Sequence, residues 1–523
     1  MNELANKATA LAQKRSHPAP APNRLLHYRR QFLLVRNPID SPMDWRMHRV
    51  GPYVLYSHPD LETLVAADDS RTIALLGSLF DSDAAQDTNS TILNRVFQAA
   101  QTFPDLVASL KQYAGHYAII YIDGSISAII QDALSLREVY YCTSDNLVVC
   151  ASQPNLLTTF AHPPVSSSHD PAVQQFFRQE FRNHKWVGDD TLFEGVKHLL
   201  PNHFLNLATR TAQRYWPNRT ILRRSLDEVV THGTRFIQGI MCAMAHRHPL
   251  MCAVTAGTDS RTILAASRAI AEKTYFFINR ERDLTDEHPD ISVPTAIFNA
   301  LGRTFHVHDV PPDVDPDFRA IFLANTFHAS ERILPSIYNI YYRALSDKVN
   351  ILGIGEIGRS RYGPTPKRLT SFRMAYAMGY HDSTYALSVC ENLRPELQAV
   401  GQQFGVNPMT LLYWEQMIGN WGAVGNSESD IAIEELDPFN SHSFYEMLLS
   451  VDEKYTDYHD NILFREMIQK MWPELLAWPL GGPSGSVKER MMRILKRAGI
   501  YQAAKLCKFH AVRIRQTGRL FER

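Results

Sequence analysis

The stretch Cys252 to Leu264 reads CAVTAGTDSRTIL, and its reading decides the fold. An apolar strand stops at Val254, small and hydroxyl residues fill a turn, and a helix starts near Ser260. A helix N-terminus presents unpaired backbone N–H groups and a partial positive charge. Gly257 lets the backbone close around a phosphate, and Thr255, Thr258 and Ser260 add hydroxyl donors. The bland alternative is a tight strand–helix turn at Gly257 with Asp259 capping the helix. That alternative accounts for one Gly and one Asp but not for the cluster of five polar or flexible residues.

Outward from this loop the pattern alternates. A long helical segment, LDEVVTHGTRFIQGIMCAMAHR (Leu226 to Arg247), precedes the strand PLMCAVT. After the loop come a strand (YFFIN), a helix (SVPTAIFNALG), a strand (FHVHDV) and, later, another strand at VNILGI. Strand–helix alternation of this kind predicts a doubly wound parallel sheet, with ligands bound beyond the carboxyl ends of its strands.

The preceding region differs. From Gln31 to about Leu157, short β-branched and aromatic runs such as QFLLVRN, YVLYS, TIALLGSLF, HYAIIYID and SISAIIQD are separated by turn residues. STILNRVFQAA and PDLVASLKQYA read as helices among them. Several strands are apolar on both faces, which predicts sheets covered on both sides. A hairpin, HFLNL then AQRYW, closes this part. Residues 1–24, ending in HPAPAPN, read as a flexible leader.

The 523 residues exceed what one core organises. A formal net charge of +0 gives no overall field to recruit nucleic acid. Six singly placed cysteines and no C-x-x-C pair argue against a zinc site or disulfide framework and fit a reducing cytoplasm. No apolar run reaches membrane-spanning length, and no signal-peptide pattern opens the chain. Residues 485–523 are basic, with Glu489 and Glu522 their only acids. MMRILKRAGIYQAAKLCKFHAVRIR reads as an amphipathic helix, packed on the domain before it or, less favoured, laid on an anionic membrane.

The loop Thr255, Ala256, Gly257, Thr258, Asp259, Ser260 resembles the Ser-Gly-Gly-x-Asp-Ser pyrophosphate loop of the ATP pyrophosphatase superfamily, with Thr for the first Ser and Ala for the first Gly. It is not a Walker A loop, since no Gly-Lys-Ser/Thr follows. Three further segments are similar to the asparagine synthetase family. Asp132, Arg137, Tyr140 and Tyr141 match an amidotransferase-domain run. Thr191 to Trp216 matches an interdomain hairpin that ends in Arg214, Tyr215 and Trp216. Glu434, Pro438 and Phe439 match a Glu-Val-Arg-x-Pro-Phe segment.

The resemblance implies an α/β fold: an N-terminal layered αββα domain of Ntn-hydrolase type (25–217), then a doubly wound ATP pyrophosphatase domain with a helical C-terminal part (218–484). It implies ATP and Mg²⁺ as cofactors, and a carboxylate activated as an acyl-adenylate and then captured by an amine or ammonia. Val254 to Ser260, with Gly353 and Gly355 of the later loop ILGIGEIGRSRYG, would bind ATP and pyrophosphate. Arg261 would add charge to the same phosphates. Asp259 and Glu356 would handle the metal, and Glu434 would support a base beside the adenylate. Glu434 is otherwise a surface carboxylate, the Gly353–Gly355 loop a plain turn, and Asp290 either an acid of the site or an N-cap. A homodimer is compatible with this frame.

Two departures matter. Position 2 is Asn2, where glutamine-dependent members carry a nucleophilic Cys, and Leu76 stands where an Asn precedes the retained Gly77. The N-terminal domain is therefore expected to have lost glutaminase activity. The late Lys of the family has no clear counterpart, with Lys488 and Arg490 the nearest cations. Amidation or cyclisation of a metabolite or surface polysaccharide component is the alternative within the ligase class. A catalytically inactive scaffold is the alternative outside it. A tRNA-modifying adenylating enzyme is disfavoured by the lack of paired cysteines and of positive charge.

Overall fold

The computed structural model describes residues 23–40, 44–143, 149–160, 170–180, 185–281, 284–458, 460–481, 507 and 509–515. Twelve strands make the N-terminal half: β1 (Phe32–Val35), β2 (Arg46–Val50), β3 (Tyr53–Ser57), β4 (Thr63–Ala67), β5 (Arg71–Phe80), β6 (Ala114–Asp123), β7 (Ser127–Gln131), β8 (Tyr140–Cys142), β9 (Cys150–Ala151), β10 (Val196–His198), β11 (His203–Asn206) and β12 (Thr211–Arg214). They form two antiparallel six-stranded sheets, ordered β10-β8-β9-β1-β3-β2 and β12-β11-β7-β6-β5-β4. Phe32, Leu34 and Leu55 of the first sheet meet Leu76, Ile120 and Ile129 of the second in a shared apolar layer. Helices Asn89–Ala99 and Phe103–Leu110 cover the outer face of the second sheet, and Leu156 and Leu157 cover that of the first. Strands apolar on both faces thus end up in an αββα sandwich, because each face has something to bury against.

The second half carries β13 (Leu250–Ala253), β14 (Tyr275–Arg280), β15 (His306–Asp309), β16 (Val349–Ile351) and β17 (Glu435–Leu436), all parallel, in the order β15-β14-β13-β16-β17. The chain steps outward from β13 to β15, then returns to the other side of β13 for β16. The strand order therefore reverses between β13 and β16, the position beyond which ligands bind in open parallel sheets. Helix Leu226–Arg247 has its first turn capped by Ser225, whose side chain accepts from the Glu228 N–H.

The two halves are fused rather than merely tethered. One apolar cluster runs from Phe80 and Leu134 through Trp216 to Trp414 and Phe439. The Trp414 indole donates to the Ala133 carbonyl at 2.7 Å. Arg214 grips Glu415 with both Nη atoms, at 2.5 and 2.9 Å.

The start of the described chain is also docked. Residues Asn23–Leu26 form a short 3₁₀ turn, and Leu26 packs against Phe318, Phe322 and Ile431 of the second half. Asn325 clamps this segment, its side chain accepting from the Tyr28 N–H and donating to the Leu26 carbonyl, each at 2.7 Å. The leader expected over 1–24 otherwise falls outside the described residues.

Most of the basic tail expected over 485–523 is outside them too. Its described part, 509–515, packs Phe509 on Phe372 and Tyr376. Among the described residues no helix is long and apolar enough to cross a membrane.

Candidate functional site: a glycine loop facing an arginine

The loop after β13 sits at the carboxyl end of the sheet's central strand. The Val254 N–H donates to the Phe277 carbonyl, carrying the pairing one residue past β13 before the chain turns. Thr255 and Ser260 then hold the turn together. The Ser260 hydroxyl accepts from the Thr255 N–H at 3.1 Å, the two hydroxyls lie 2.9 Å apart, and the Gly257 N–H donates to Thr255 Oγ1. The Ala256 N–H donates to Asp290 Oδ1 at 3.0 Å. Asp290 thus bonds the loop and is not the N-cap. His288 caps its helix, and Asp290 fixes the loop.

The helix Thr258–Ala266 begins behind Gly257 with no side-chain cap. Asp259 does not cap it. Its Oδ2 accepts instead from Arg359 Nη2 at 2.7 Å, while its buried Oδ1 has no hydrogen-bond partner. An uncapped N-terminus keeps its partial positive charge available to an anion.

The loop after β16 closes the other side of the crevice. A Cβ on Gly353 would lie 3.0 Å from Ile263 Cγ1, and one on Gly355 only 2.3 Å from Asp259 Oδ1. Glycine is required here because the backbone presses directly on the Asp259 carboxylate. Asp437, just past β17, accepts from the Ile354 N–H at 2.7 Å, and the Tyr445 hydroxyl donates to the Ile354 carbonyl. Glu356 accepts from the Tyr413 hydroxyl at 2.7 Å. Burial pushes Asp259 up to about 7, with Arg359 pulling it down and Glu356 and Asp437 adding to the rise. Asp437 is likewise pushed up to about 7 by burial, against the N–H groups of Phe439 and Ile354 that favour its charge.

Three expectations change. Arg261 is buried and spends its guanidinium on backbone carbonyls. Its Nη1 donates to the Leu475 carbonyl at 2.9 Å and reaches the Trp478 carbonyl, and Nη2 reaches that of Pro479. It pins the segment 475–481, whose Gly481 N–H in turn bonds the Ala256 carbonyl.

Glu434 stands at the wrong end of the sheet. It precedes β17, so it lies at the amino ends of the parallel strands, whereas the loop lies at their carboxyl ends. There it lines a cleft of about 320 Å³ with Arg29, Arg30, His248 and Lys348, 3.5 Å from Arg137 Nη2. His116 is 3.9 Å from Glu434. Burial, and then Arg137, hold that ring neutral, so the contact is not an ion pair.

Third, the donors around Asp259 do not suit Mg²⁺. Asp259 is paired with Arg359, Glu356 bonds Tyr413, and no cluster of three or more metal-binding side chains exists among the described residues. An octahedral ion at about 2.0–2.1 Å that keeps several waters needs space. The Gly355 backbone crowds Asp259 Oδ1, since a Cβ there would meet it at 2.3 Å.

The sequence reading did not single out the cavity beside the loop. A space of about 230 Å³ is bounded by Ala253, Phe277, Asn279, Glu281, Tyr341 and Glu435, among others. Burial pushes Glu435 up to about 7, against its bond from Asn350 Nδ2. The polar pair Asn279-Arg280 closing the apolar run YFFI was the available signal, since polar residues at the carboxyl end of a parallel strand face the ligand crevice.

In the N-terminal half, Gly77 adopts φ +101°, and a Cβ there would meet the His116 carbonyl oxygen at 2.1 Å. Its retention therefore has a backbone reason. Gln31, buried, precedes β1 and donates to the Asn325 carbonyl. The thiols of Cys142, Cys150, Cys242, Cys252 and Cys390 are all pushed up by burial, the reverse of an activated nucleophile.

No protein-family model matches this chain, and no curated protein matches it. Among solved structures, the chain is similar to one described as the allosteric regulatory enzyme of purine biosynthesis. The identity is 12%, covering 59% of this chain and 80% of that one, with a TM-score of 0.23. It is also similar to the glutamine phosphoribosylpyrophosphate amidotransferase from B. subtilis complexed with ADP and GMP. There the identity is 11%, covering 59% of this chain and 90% of that one, again with a TM-score of 0.23.

Proposed function

We propose that the chain is an ATP-dependent amide-forming ligase whose second half activates a carboxylate and whose nitrogen arrives as a free amine or ammonia. The supporting observation is the uncapped helix N-terminus behind Thr255 to Gly257, at the point where the strand order reverses, with a cavity alongside. In this reading the phosphates lie on the loop and the organic part of the ligand lies in the cavity of Asn279, Tyr341 and Glu435. A carboxylate oxygen displaces pyrophosphate from the α-phosphorus of ATP. The amine then displaces AMP at the acyl carbon and loses a proton. The buried, up-shifted thiols of the first half favour an outside source of nitrogen. Asparagine is the default product of the resemblance, with amidation of a larger metabolite or polysaccharide component as its variant.

A second reading, a nucleotide- or anion-binding scaffold without turnover, is favoured by the pairing of Asp259 with Arg359. ATP–pyrophosphate exchange across a panel of carboxylates, with Asp259→Ala as control, separates the two. Exchange that Asp259→Ala abolishes supports the ligase. ATP binding without exchange supports the scaffold. Neither exchange nor binding removes both.

A further inference from the structure

We propose that Arg359 takes the place of a divalent metal at this loop, so that the crevice binds a pyrophosphate-type anion without Mg²⁺. The inference rests on the reading that the loop takes phosphates, and it concerns the counter-charge they meet there.

The geometry is that of a fixed cation. Arg359 is 5% exposed. Nη2 bonds Asp259 Oδ2 at 2.7 Å, Nη1 bonds Asn461 Oδ1 at 3.1 Å, and the guanidinium carbon lies 4.5 Å from the centre of the Tyr458 ring. A planar guanidinium held on both a carboxylate and an aromatic face is positioned before any ligand arrives. Its buried Nε–H has no acceptor. A buried donor left in this state costs stability and gains from an anion that completes it. Arg361, exposed and 4.2 Å from the same Tyr458 ring, brings a second positive charge. Two arginines beside an uncapped helix N-terminus form a phosphate cradle whose charge is built in. One oxygen of the carboxylate that the resemblance assigns to the metal is already taken by a guanidinium, and the Gly355 backbone crowds the other oxygen.

The test is calorimetric titration of the full chain with inorganic pyrophosphate and, separately, with ATP, each in EDTA and in Mg²⁺. Arg359→Ala and Arg359→Lys are measured alongside. The wild type should bind pyrophosphate in EDTA with a Kd close to that in Mg²⁺. Arg359→Ala should lose at least tenfold in EDTA and regain affinity in Mg²⁺, because Asp259 is then free for an ion. Arg359→Lys should fall between the two. Wild-type binding that appears only with Mg²⁺ overturns the proposal while leaving the loop a phosphate site. Absence of binding under either condition overturns the functional reading beneath it. Should Arg359→Ala fail to fold, the wild-type comparison of EDTA with Mg²⁺ still decides.

Discussion

Removing the Arg137 side chain tests whether the two halves are held together by buried charge. Arg137 is 2% exposed and reaches four groups. Nη1 bonds Asp430 Oδ2 at 3.0 Å and the Arg30 carbonyl at 3.1 Å. Nη2 donates to His116 Nδ1 at 3.2 Å and lies 3.5 Å from Glu434 Oε1. Arg137→Ala strands the buried Asp430 carboxylate, and breaking a buried pair on one side costs about 3–5 kcal/mol. The cost must depend on pH. Burial already pushes Asp430 up to about 6 even with Arg137 pulling it down, so without the arginine the carboxyl rises further. At pH 5 it is protonated and tolerates the loss, whereas at pH 8 it is an unpaired buried anion. Urea unfolding followed by tryptophan emission is the assay, since Trp216 and Trp414 pack 4.7 Å apart across the junction. The loss should be larger at pH 8 than at pH 5, and Asp430→Asn in the same background should recover part of it. A loss under about 1 kcal/mol, or one equal at both pH values, refutes the argument.

Other substitutions probe the loop. Gly355→Ala forces a Cβ against Asp259 Oδ1 and should cost about 1–3 kcal/mol in thermal unfolding while weakening pyrophosphate binding. An unchanged Tm and Kd would mean the loop yields freely. Arg261→Met should destabilise by about 1.5–3 kcal/mol through its lost carbonyl bonds, yet leave pyrophosphate affinity unchanged. A loss of tenfold or more would return Arg261 to the phosphates. Stability should fall from about pH 6.5 to 8. Glu138, Asp259, Glu435 and Asp437, each raised to about 7, and Glu428, raised to about 8, hold protons in the fold that the unfolded chain releases near pH 4. Below about pH 6.5 the depressed His58, His198 and His442 work the other way, because the unfolded chain takes up their protons, so a profile still rising from pH 6.5 to 8 contradicts these assignments.

The sequence was informative where local pattern and burial agree. YVLYS, TIALLGSLF and HYAIIYID are β3, β5 and β6 almost to the residue, because strands buried on both faces cannot hide their apolar runs. RMHRV and TLVAA, which became β2 and β4, went unread. Both are sheet edges with mostly exposed or partly exposed residues, and their strand character comes from pairing with β3 and β5. β17 is two residues long and owes its existence to β16. That shortness explains the error at Glu434. Without the strand's direction nothing in the segment says that a residue before β17 lies at the amino ends of the parallel strands. Arg261 was more avoidable. It shares a helix face with Leu264 and Ala265, three and four residues on, and both are buried. Charge beside a phosphate loop suggested a ligand contact, whereas helical spacing pointed inward.

The residues that carried the resemblance in the first half therefore speak to architecture more than to chemistry. Asp132 gathers the N–H groups of Tyr117, Leu136 and Arg137 and accepts from Asn440 of the second half at 2.9 Å. Arg137 crosses to Asp430, Arg214 to Glu415, and Trp216 to Trp414. The contacts with Asn440, Asp430, Glu415 and Trp414 all cross the junction, and none needs a glutamine or a thiol. The second half needs them whatever the first half does, because it would otherwise expose Trp414 and leave Glu415 and Asp430 without their arginines. The charged and aromatic residues of the first half thus complete the core on which the loop at Thr255 stands.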